Sequence, residues 1–494
     1  MLWRTYARRV TPSIAELPVR LRAALVMAGF TYDGVADVLG PTAFAALNRN
    51  ETTPGMRRTG GGFPLETLIR LFLLQAPVEL SAAQRALPGL VDRLAAEGIL
   101  EQTVGEVAAR LDVRPYATDD EHLWVVSDLT PGLDGSANRV GADHVLGISP
   151  ASTSLAQLTL REPVGRSLDL GTGCGVQALH LARHSDAVVA TDVNRRALRI
   201  ARFNAALNDV ADVVDVRDGS FFEPVAGERF DLIATNPPFV ISPATGEQLV
   251  YRDSGLPGDR VVEHIVRTAP EHLTENGWCQ VLANWVVPTG GGWQERIADW
   301  VPAGCDTFVV QRELIDPAAY VELWLKDAGL HGTNDYLIRY DTWLSWFEDQ
   351  GIEAIGFGWI NLRRSGGSAA EFLEWPYDVE QPIAPAIRDW GRAVDATVGP
   401  DSRLVTRVDV RQETQGAPGE ADPETVVLRQ QRGLRRARQV DTVEAAFVGA
   451  CDGDLSVGQI LDAVSQLLEL DPQQTRDTYL PVARELVREG FLHV

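Results

Sequence analysis

The chain has 494 residues, more than one ordinary domain holds, so we expect two to four domains. Its 45% hydrophobic and 23% charged residues are typical of a folded globular protein and exclude an intrinsically disordered one. The formal net charge of −23 argues against a protein that binds nucleic acid without specificity, because phosphate binding needs clustered cations.

The sequence predicts neither a membrane protein nor a metalloprotein. No apolar run approaches the ~18 residues that span a bilayer, and no unbroken apolar core of the signal-peptide type follows the N-terminal stretch MLWRTYARRV. The four cysteines are scattered without a Cys-x-x-Cys pair, which predicts neither a disulfide scaffold nor a zinc site. We therefore expect a cytoplasmic protein that needs no metal.

Residues 1–150 are predicted to form a mostly helical, winged-helix-like N-terminal domain. Apolar residues recur at three- and four-residue spacing in PLETLIRLFLLQ and LVDRLAAEGIL, which is typical of helices. EVAARLDVRP and HLWVVSDL then alternate like two strands joined by the polar turn ATDDE. The domain either recognises a substrate or serves as a packing or lid domain. The lack of a basic recognition stripe favours the second interpretation.

Residues 151–365 change to strands that alternate with helices, which predicts a parallel sheet covered by helices on both faces. The predicted strands are SLDL, AVVATD, VVDVRD, FDLIAT, WCQVLANW, TFVVQREL and IEAIGFGWINLRR. Between the last two, LIRYDTWLSWFEDQ is predicted to be helical.

Residues 366–494 are predicted to form a smaller α+β domain that ends in amphipathic helices. RLVTRVDVRQE and ETVVLRQQ have the pattern of strands, and YLPVARELVREGFLHV has that of a helix. The run QRGLRRARQV concentrates four arginines. These form either a patch for RNA phosphate or, as is more common for such a run, ion pairs with neighbouring acids.

A glycine loop follows the first strand of the central region, in LDLGTGCGVQALHLA. Its three glycines, Gly171, Gly173 and Gly175, permit a tight turn and a close approach of the backbone to a ligand. Position 176 is valine, so the pattern is not the G-x-G-x-x-G fingerprint that cradles a pyrophosphate. Asp169 precedes the loop, where a carboxylate would repel phosphate and attract an ammonium group.

Two more acids stand at the ends of the next two predicted strands. Asp192 ends AVVATD, where a carboxylate can accept hydrogen bonds from both hydroxyls of a ribose. Asp218 ends the following strand and suits contact with the edge of an adenine. Three acids at three successive strand ends indicate a ligand with an amine, a ribose and a purine.

The glycine loop, the later acids and the tetrapeptide NPPF at positions 236–239 resemble, in this order, the class I S-adenosylmethionine-dependent methyltransferases. The resemblance covers roughly residues 150–365 and implies a Rossmann-like, seven-stranded methyltransferase sheet. It implies S-adenosylmethionine as the cofactor. The cofactor-binding residues that it implies are Asp169, Gly171, Thr172, Gly173, Gly175, Asp192, Val193, Asp218, Gly219 and Asn236.

By that resemblance, Asp169 and the glycine loop would hold the methionine portion of the cofactor. Asp192 would hold the ribose, and Asp218 with Gly219 the adenine region. Ser152, Thr153 and Ser154 in the preceding segment are either cofactor contacts or a plain helix cap.

The tetrapeptide NPPF places an amide, two rigid prolines and an aromatic ring at the end of a core strand. A planar nitrogen is a weak nucleophile, and the Asn236 side-chain oxygen and the Pro237 carbonyl could each accept one of its hydrogen bonds as it pyramidalises. Phe239 could stack on a flat substrate group. Asn236, Pro237 and Phe239 are therefore the predicted catalytic residues, and this chemistry needs no strong general base.

NPPF is similar to the tetrapeptide of methyltransferases that act on exocyclic or amide nitrogens, such as release-factor glutamine and ribosomal RNA guanine methyltransferases. The later YRDSGLPGDR matches the usual Gly-Gly-x-Asp-Gly pattern of the glutamine enzymes loosely, through Gly255, Gly258 and Asp259. Those enzymes usually have tyrosine where this chain has Phe239. Both departures favour a nucleobase.

The leading hypothesis is thus N-methylation of a nucleobase in RNA, with RNA more probable than protein as the macromolecular substrate. The alternatives are methylation of a protein glutamine and, in another class, a cofactor-binding protein without turnover. The oligomeric state stays open.

Overall fold

The structure is a computed structural model that describes residues 16–117, 122–136, 141, 143–244, 256–417 and 423–494. The N-terminal stretch MLWRTYARRV, residues 118–121 of the predicted turn ATDDE, and Gly255 lie outside the described residues.

The chain folds into two compact units. The first combines residues 1–156, 162–305 and 313–366, and the second combines residues 157–161, 306–312 and 367–494. Most of the predicted N-terminal and central regions therefore belongs to one unit, whereas residues 157–161 and 306–312 of the central region, which include most of the strand at Asp306–Ile315, belong to the other. The division into three domains at residues 150 and 365 stays a prediction.

The N-terminal region of the first unit is mostly helical. Its helices are α1 Glu16–Met27, α2 Tyr32–Leu47, α3 Thr53–Arg58, α4 Pro64–Leu68, α5 Leu80–Ala86 and α6 Val91–Ala96. Its strands are β1 Val78–Glu79, β2 Leu100–Gln102, β3 Glu106–Ala109, β4 Leu111–Ala117 and β5 His122–Asp128. Three of these strands form a sheet in the order β1-β3-β2, with α5 and α6 between β1 and β2 in the chain, and the winged-helix-like character of the region stays a prediction.

The predicted single strand EVAARLDVRP is wrong, because it is two strands in two different sheets. β3 pairs with β2, whereas β4 forms an antiparallel hairpin with β5. The chain bends at Arg110, where the N–H groups of Arg110 and Leu111 both donate to the Ile99 carbonyl, at 2.8 and 3.3 Å.

The central region alternates strands and helices, as predicted. Its strands are β6 Val164–Leu170, β7 Ser185–Asp192, β8 Val214–Asp218, β9 Phe230–Thr235, β10 Leu273–Pro288, β11 Asp306–Ile315 and β12 Ile352–Arg363. Its helices are α7 Pro150–Leu158, α8 Val176–Leu181, α9 Arg195–Leu207, α10 Arg260–Thr268, α11 Trp293–Ala298, α12 Pro317–Asp327 and α13 Asn334–Asp349.

Six strands of the large sheet lie within the first unit, in the order β12-β10-β9-β6-β7-β8. From β10 to β8 every pairing is parallel, and β12 runs antiparallel to β10. The predicted α/β class is confirmed, and the count of seven strands stays a prediction. Parallel pairing brings the carboxyl ends of β9, β6, β7 and β8 to one edge of the sheet.

Two asparagines, Asn204 on α9 and Asn208 directly after its last residue, bind the backbone of β5 within the first unit. Asn204 is fully buried; its Oδ1 accepts from Val126 N at 2.8 Å, and its Nδ2 donates to the carbonyls of Val126 and Cys174, both at 2.8 Å. Asn208 makes the same pair of bonds with Trp124, at 2.9 and 2.8 Å. These asparagines belong to ARFNAALN, and they fasten the N-terminal hairpin to the central region.

The second unit contains the rest of the secondary structure. Its strands are β13 Ala370–Glu374, β14 Val405–Thr406, β15 Val410–Gln415, β16 Thr425–Gln430, β17 Ala437–Val440 and β18 Leu492–His493. Its helices are α14 Ala384–Asp395, α15 Thr442–Ala450, α16 Val457–Leu467 and α17 Pro472–Arg488. Both predicted strands are confirmed in part, as β15 and β16, and the terminal helices are present.

The arginine run of the second unit forms ion pairs with neighbouring acids. Arg436 donates to Glu371 at 2.7 Å, and Arg438 contacts Glu444 and Glu489 at 2.9 and 3.1 Å. The more common of the two interpretations of QRGLRRARQV is therefore confirmed for these two arginines.

Within the described residues no single helix is both long and apolar enough to cross a bilayer, although α1 and α2 pass that test together as a pair bent by 50°.

Replacing Asn204 by leucine should destabilise the first unit. The substitution leaves two carbonyls and one N–H without partners in the interior, and each buried group without a partner costs about 1–3 kcal/mol, so the loss is about 3 kcal/mol or more. Chemical denaturation would measure it. Asn334→Ala, at an exposed position at the start of α13, is the matched control and should change stability by less than about 0.5 kcal/mol. Equal stabilities of the Asn204→Leu variant and the wild type would show that the hydrogen bonds of Asn204 do not stabilise the first unit.

Candidate functional site

A cavity of about 480 Å³ opens at the carboxyl ends of β6, β7 and β9. Its size suits a drug-sized or cofactor-sized molecule. The predicted residues that line it are Asp169, Gly171, Thr172, Gly173, Asp192, Val193, Gly219, Asn236, Pro237 and Phe239. Two predicted cofactor residues, Gly175 and Asp218, are not among the lining residues.

The first two glycines of the loop leave space for a ligand. Gly171 and Gly173 have φ of 77° and 55°, and a Cβ atom on either would meet nothing within 4 Å. Gly175 has another role. A Cβ there would lie 3.2 Å from the Cα and Cβ atoms of Ala201, so glycine at this position lets α8 approach α9. Glycine is needed here for the packing of two helices and not to leave space for a ligand, and Gly175 does not line the cavity.

Asp169 is a buried acid, with 1% of its surface exposed. One carboxylate oxygen accepts from the Thr172 hydroxyl at 2.5 Å and from Ala178 N at 2.9 Å. Burial raises the pKa of this carboxyl to about 7, and the nearby Asp192 adds to the rise. A cationic group bound beside Asp169 would favour its ionised form.

Asp192 fastens the glycine loop to the end of β7. Its two oxygens accept from Gly173 N and Asn194 N, both at 2.8 Å. Burial raises its pKa as well, against the hydrogen bonds from backbone N–H groups. Each carboxylate oxygen can accept a further hydrogen bond from a ligand hydroxyl.

Asp218 is not among the residues that line the cavity, although it is close enough for its charge to add to the raised pKa of Asp192. Its side chain is 53% exposed and lies 3.5 Å from the Arg195 guanidinium. The two residues that follow Gly219 line the cavity instead, Ser220 and Phe221. The Phe221 ring contacts His264 edge to face, with 5.0 Å between ring centroids, and its φ of 44° is uncommon for a bulky residue. The sequence analysis missed both residues.

Asn236 follows the last residue of β9, where the strand is fixed to its neighbour. The Thr235 hydroxyl donates to the Leu170 carbonyl at 2.7 Å, which ties the ends of β9 and β6 together. The Asn236 side-chain oxygen is shielded from water and has no hydrogen-bond partner among the described residues. A buried acceptor of this kind costs free energy until a donor pairs with it, so the residue suits a ligand that carries N–H groups.

The chain beyond Asn236 is held by α12. Pro237 is buried, and Phe239 is half-buried with its ring 6.3 Å from that of Trp324, edge to face. The fully buried Tyr320 accepts from Ile241 N through its hydroxyl at 2.9 Å. Aromatic residues of α12 thus fix the backbone that carries the tetrapeptide.

Gln177, another residue that the sequence analysis did not single out, lines the cavity near Asp169. Its Nε2 donates to the Ser152 carbonyl at 2.6 Å, and its Oε1 has no hydrogen-bond partner among the described residues. The only sequence signal is an amide at the second position of the mostly apolar stretch VQALHLA.

Of the three hydroxyl residues predicted as contacts or cap, Ser152 takes part in capping α7, as the partner of Ser149, which directly precedes the helix. It exchanges hydrogen bonds with Ser149, N to Oγ at 3.2 Å and Oγ to the carbonyl at 2.9 Å. Ser152 also lines the cavity, whereas Thr153 and Ser154 do not.

The polar side chains that line the cavity include two carboxylates and two amide oxygens without partners, and no arginine or lysine of the described chain is among the lining residues. A cavity rich in acceptors fits a ligand with hydrogen-bond donors and positive charge, such as an amino-acid ammonium, a ribose and a sulfonium. Across the described residues, no group of three His, Cys, Asp or Glu side chains is placed to hold a metal ion.

Three segments of the chain match family models. Residues 147–290, which contain the cavity's strands and glycine loop, match the methyltransferase small domain. Residues 27–110 and 386–494 match two domains of unknown function, DUF7059 and DUF7782.

Curated relatives are similar to part of the chain. A ribosomal protein uL3 glutamine methyltransferase of Bradyrhizobium diazoefficiens is 37% identical over 124 residues, which are 23% of this chain and 39% of that protein. A release factor glutamine methyltransferase of Xylella fastidiosa is 37% identical over 132 residues, 24% of this chain and 47% of that protein. The chain thus spans less than half the length of these relatives.

Among solved structures, a 16S ribosomal RNA N2 G1207 methyltransferase of T. thermophilus, in complex with AdoMet and guanosine, is 17% identical with a TM-score of 0.28. The match covers 46% of this chain and 64% of that one. The family model and the curated relatives confirm the predicted resemblance to methyltransferases for the central region.

The raised pKa of Asp169 predicts that ligand binding depends on pH. With a pKa of about 7, the carboxyl is mostly protonated below neutrality and mostly ionised above it, and a cationic ammonium pairs with the ionised form. The affinity for S-adenosylhomocysteine should therefore fall about tenfold between about pH 8 and about pH 6. Calorimetric titration at several pH values measures this. Asp169→Asn should bind more weakly and lose most of the dependence. An equally steep dependence in that variant would contradict the assignment.

Proposed function

Because residues 147–290 match the methyltransferase small domain, we propose that the chain is an S-adenosylmethionine-dependent N-methyltransferase that acts on a planar nitrogen of a macromolecule. The observation that carries the proposal is the position of Asn236. Its side-chain oxygen lacks a partner, and it lines one cavity together with Asp169 and Asp192.

The residues of the cavity divide the work. Asp169 holds an ammonium group, Asp192 holds ribose hydroxyls, and Gly219 with Ser220 and Phe221 borders the base. When bound, S-adenosylmethionine would supply the methyl group and leave as S-adenosylhomocysteine, and the substrate nitrogen would lose its proton to water.

Asn236 acts on the substrate nitrogen. Its side-chain oxygen accepts one N–H hydrogen bond, and the Pro237 carbonyl accepts the other, so the nitrogen lone pair turns towards the methyl carbon. Both acceptors are fixed before the reaction, because Thr235 ties the strand end to β6 and Tyr320 holds the chain beyond the prolines. Preorganised acceptors of this kind stabilise charge that develops in the transition state.

For the substrate we place a protein glutamine first. The two curated relatives at 37% identity, both glutamine methyltransferases, support it, as does the absence of arginine and lysine from the described lining of the cavity. Two of the four arginines of the candidate phosphate patch, Arg436 and Arg438, are engaged with acids. A nucleobase in RNA is the second candidate, favoured by Phe239 in place of tyrosine. Ribosomes and release factors are cytoplasmic, so the cytoplasm stays the expected compartment.

Mass spectrometry of a strain that lacks this gene would identify the substrate. The proposal predicts that a methylglutamine in a ribosomal protein or release factor disappears and returns with the wild-type gene. Loss of a methylated nucleoside from RNA would instead establish the second candidate. If neither modification changes, and purified full-length chain transfers no methyl group to lysate protein or RNA of that strain, the proposed activity is refuted.

Replacing Asn236 by alanine should separate binding from turnover. Loss of an oriented acceptor lowers the rate by about 100-fold or more, whereas the affinity for S-adenosylhomocysteine should stay within about threefold of the wild type. Single-turnover kinetics with the substrate found in the deletion strain, together with calorimetry, measure both. Asn334→Ala serves again as the exposed control and should leave rate and affinity unchanged. A full rate for Asn236→Ala would remove this residue from the reaction.

A further inference from the structure

Gln177 is the second residue of α8 and is almost wholly buried, with 5% of its surface exposed. Its amide is used on one side alone. Nε2 donates to the Ser152 carbonyl at 2.6 Å, while Oε1 is shielded from water and has no partner among the described residues. Buried amide oxygens are almost always paired, so this one needs an explanation.

The orientation of this amide follows from its surroundings. A rotation by 180° would exchange Oε1 and Nε2 and set the side-chain oxygen against the Ser152 carbonyl oxygen, two acceptors at hydrogen-bond distance. The acceptor therefore stays on the side away from Ser152, and a partner for it must be a donor.

The position of Gln177 in the cavity indicates which donor. The next residue, Ala178, donates its N–H to Asp169 at 2.9 Å, and both Gln177 and Asp169 line the cavity. Asp192 lies at the end of the neighbouring strand, where its oxygens already hold Gly173 and Asn194. An ammonium group has three N–H donors, more than one carboxylate satisfies.

We propose that Gln177 Oε1 accepts a hydrogen bond from the ammonium group of bound S-adenosylmethionine, and so completes with Asp169 a two-residue site for the amino-acid end of the cofactor. The inference rests on the proposed function, since it assumes this cofactor. Neither the glycine-loop motif nor the family match assigns a role to Gln177. The residue thereby distinguishes a ligand that has an amino-acid end from one that lacks it.

Two ligands that differ in that end test the proposal on the full-length chain. S-adenosylhomocysteine carries the ammonium, and 5′-methylthioadenosine keeps the adenine, ribose and thioether without it. By calorimetry, Gln177→Leu should bind S-adenosylhomocysteine at least about tenfold more weakly, with the affinity for 5′-methylthioadenosine within about twofold of the wild type.

The exposed Gln466→Leu on α16 is the matched control and should change neither affinity. Thermal melting of each variant without ligand shows whether it is folded. If Gln177→Leu weakens both ligands equally, the residue only supports α7 through Ser152, and the proposal is overturned. It is also overturned if S-adenosylhomocysteine binds that variant as tightly as the wild type. If the wild type binds neither ligand, the proposed function itself fails, an outcome distinct from these two.

Discussion

The parallel pairing of β6 with β7 and β9 is the constraint on which the site depends. In that register Leu170, the last residue of β6, lies opposite Thr191 on one side and Thr235 on the other. The Thr235 hydroxyl adds a bond to the Leu170 carbonyl, and the N–H groups of Gly171 and Thr172 donate to the Thr191 carbonyl. The three strands therefore end at the same height in the sheet, and the residues at or next to their ends, Asp169, Asp192 and Asn236, come together.

The resulting cavity is lined by hydrogen-bond acceptors and carboxyl groups that the protein alone does not fully pair. Two amide oxygens lack partners, and burial raises the pKa of two carboxyls. Each feature costs stability in the ligand-free chain. For Asp169, the unfolded chain ionises near 3.8 and the folded one near 7, so the folded state binds the extra proton between these values and loses stability as pH rises through them. A ligand that brings donors and positive charge offsets these costs, which ties folding to the chemistry of the site.

Much of this site could be predicted because its signals are local in sequence. The glycine loop, the acids at strand ends and NPPF each stand beside a strand whose apolar pattern is clear, and parallel pairing does the rest. The roles that the sequence did not indicate depend on packing between distant segments. Gly175 is needed because Ala201 on another helix leaves no room for a side chain, and Asp218 contacts Arg195. The amide of Gln177 is oriented by its hydrogen bond to Ser152.

The N-terminal region shows the same limit. The alternation of apolar and polar residues continues through Arg110, so the sequence predicts one strand there. In the structure, hydrogen bonds from Arg110 and Leu111 to the Ile99 carbonyl bend the chain, and the two halves join different sheets. The hydrogen bonds from Asn204 and Asn208 to β5 were equally unpredictable, because a helical sequence does not reveal that its asparagines pair with a strand.

The most direct measurement is a crystal structure of the full-length chain with S-adenosylhomocysteine. The account predicts density for the ligand at the carboxyl edge of β6, β7 and β9, with its sulfur close to Asn236 and its amino group beside Asp169. Density in any other part of the molecule, or an empty cavity at saturating ligand, would contradict it.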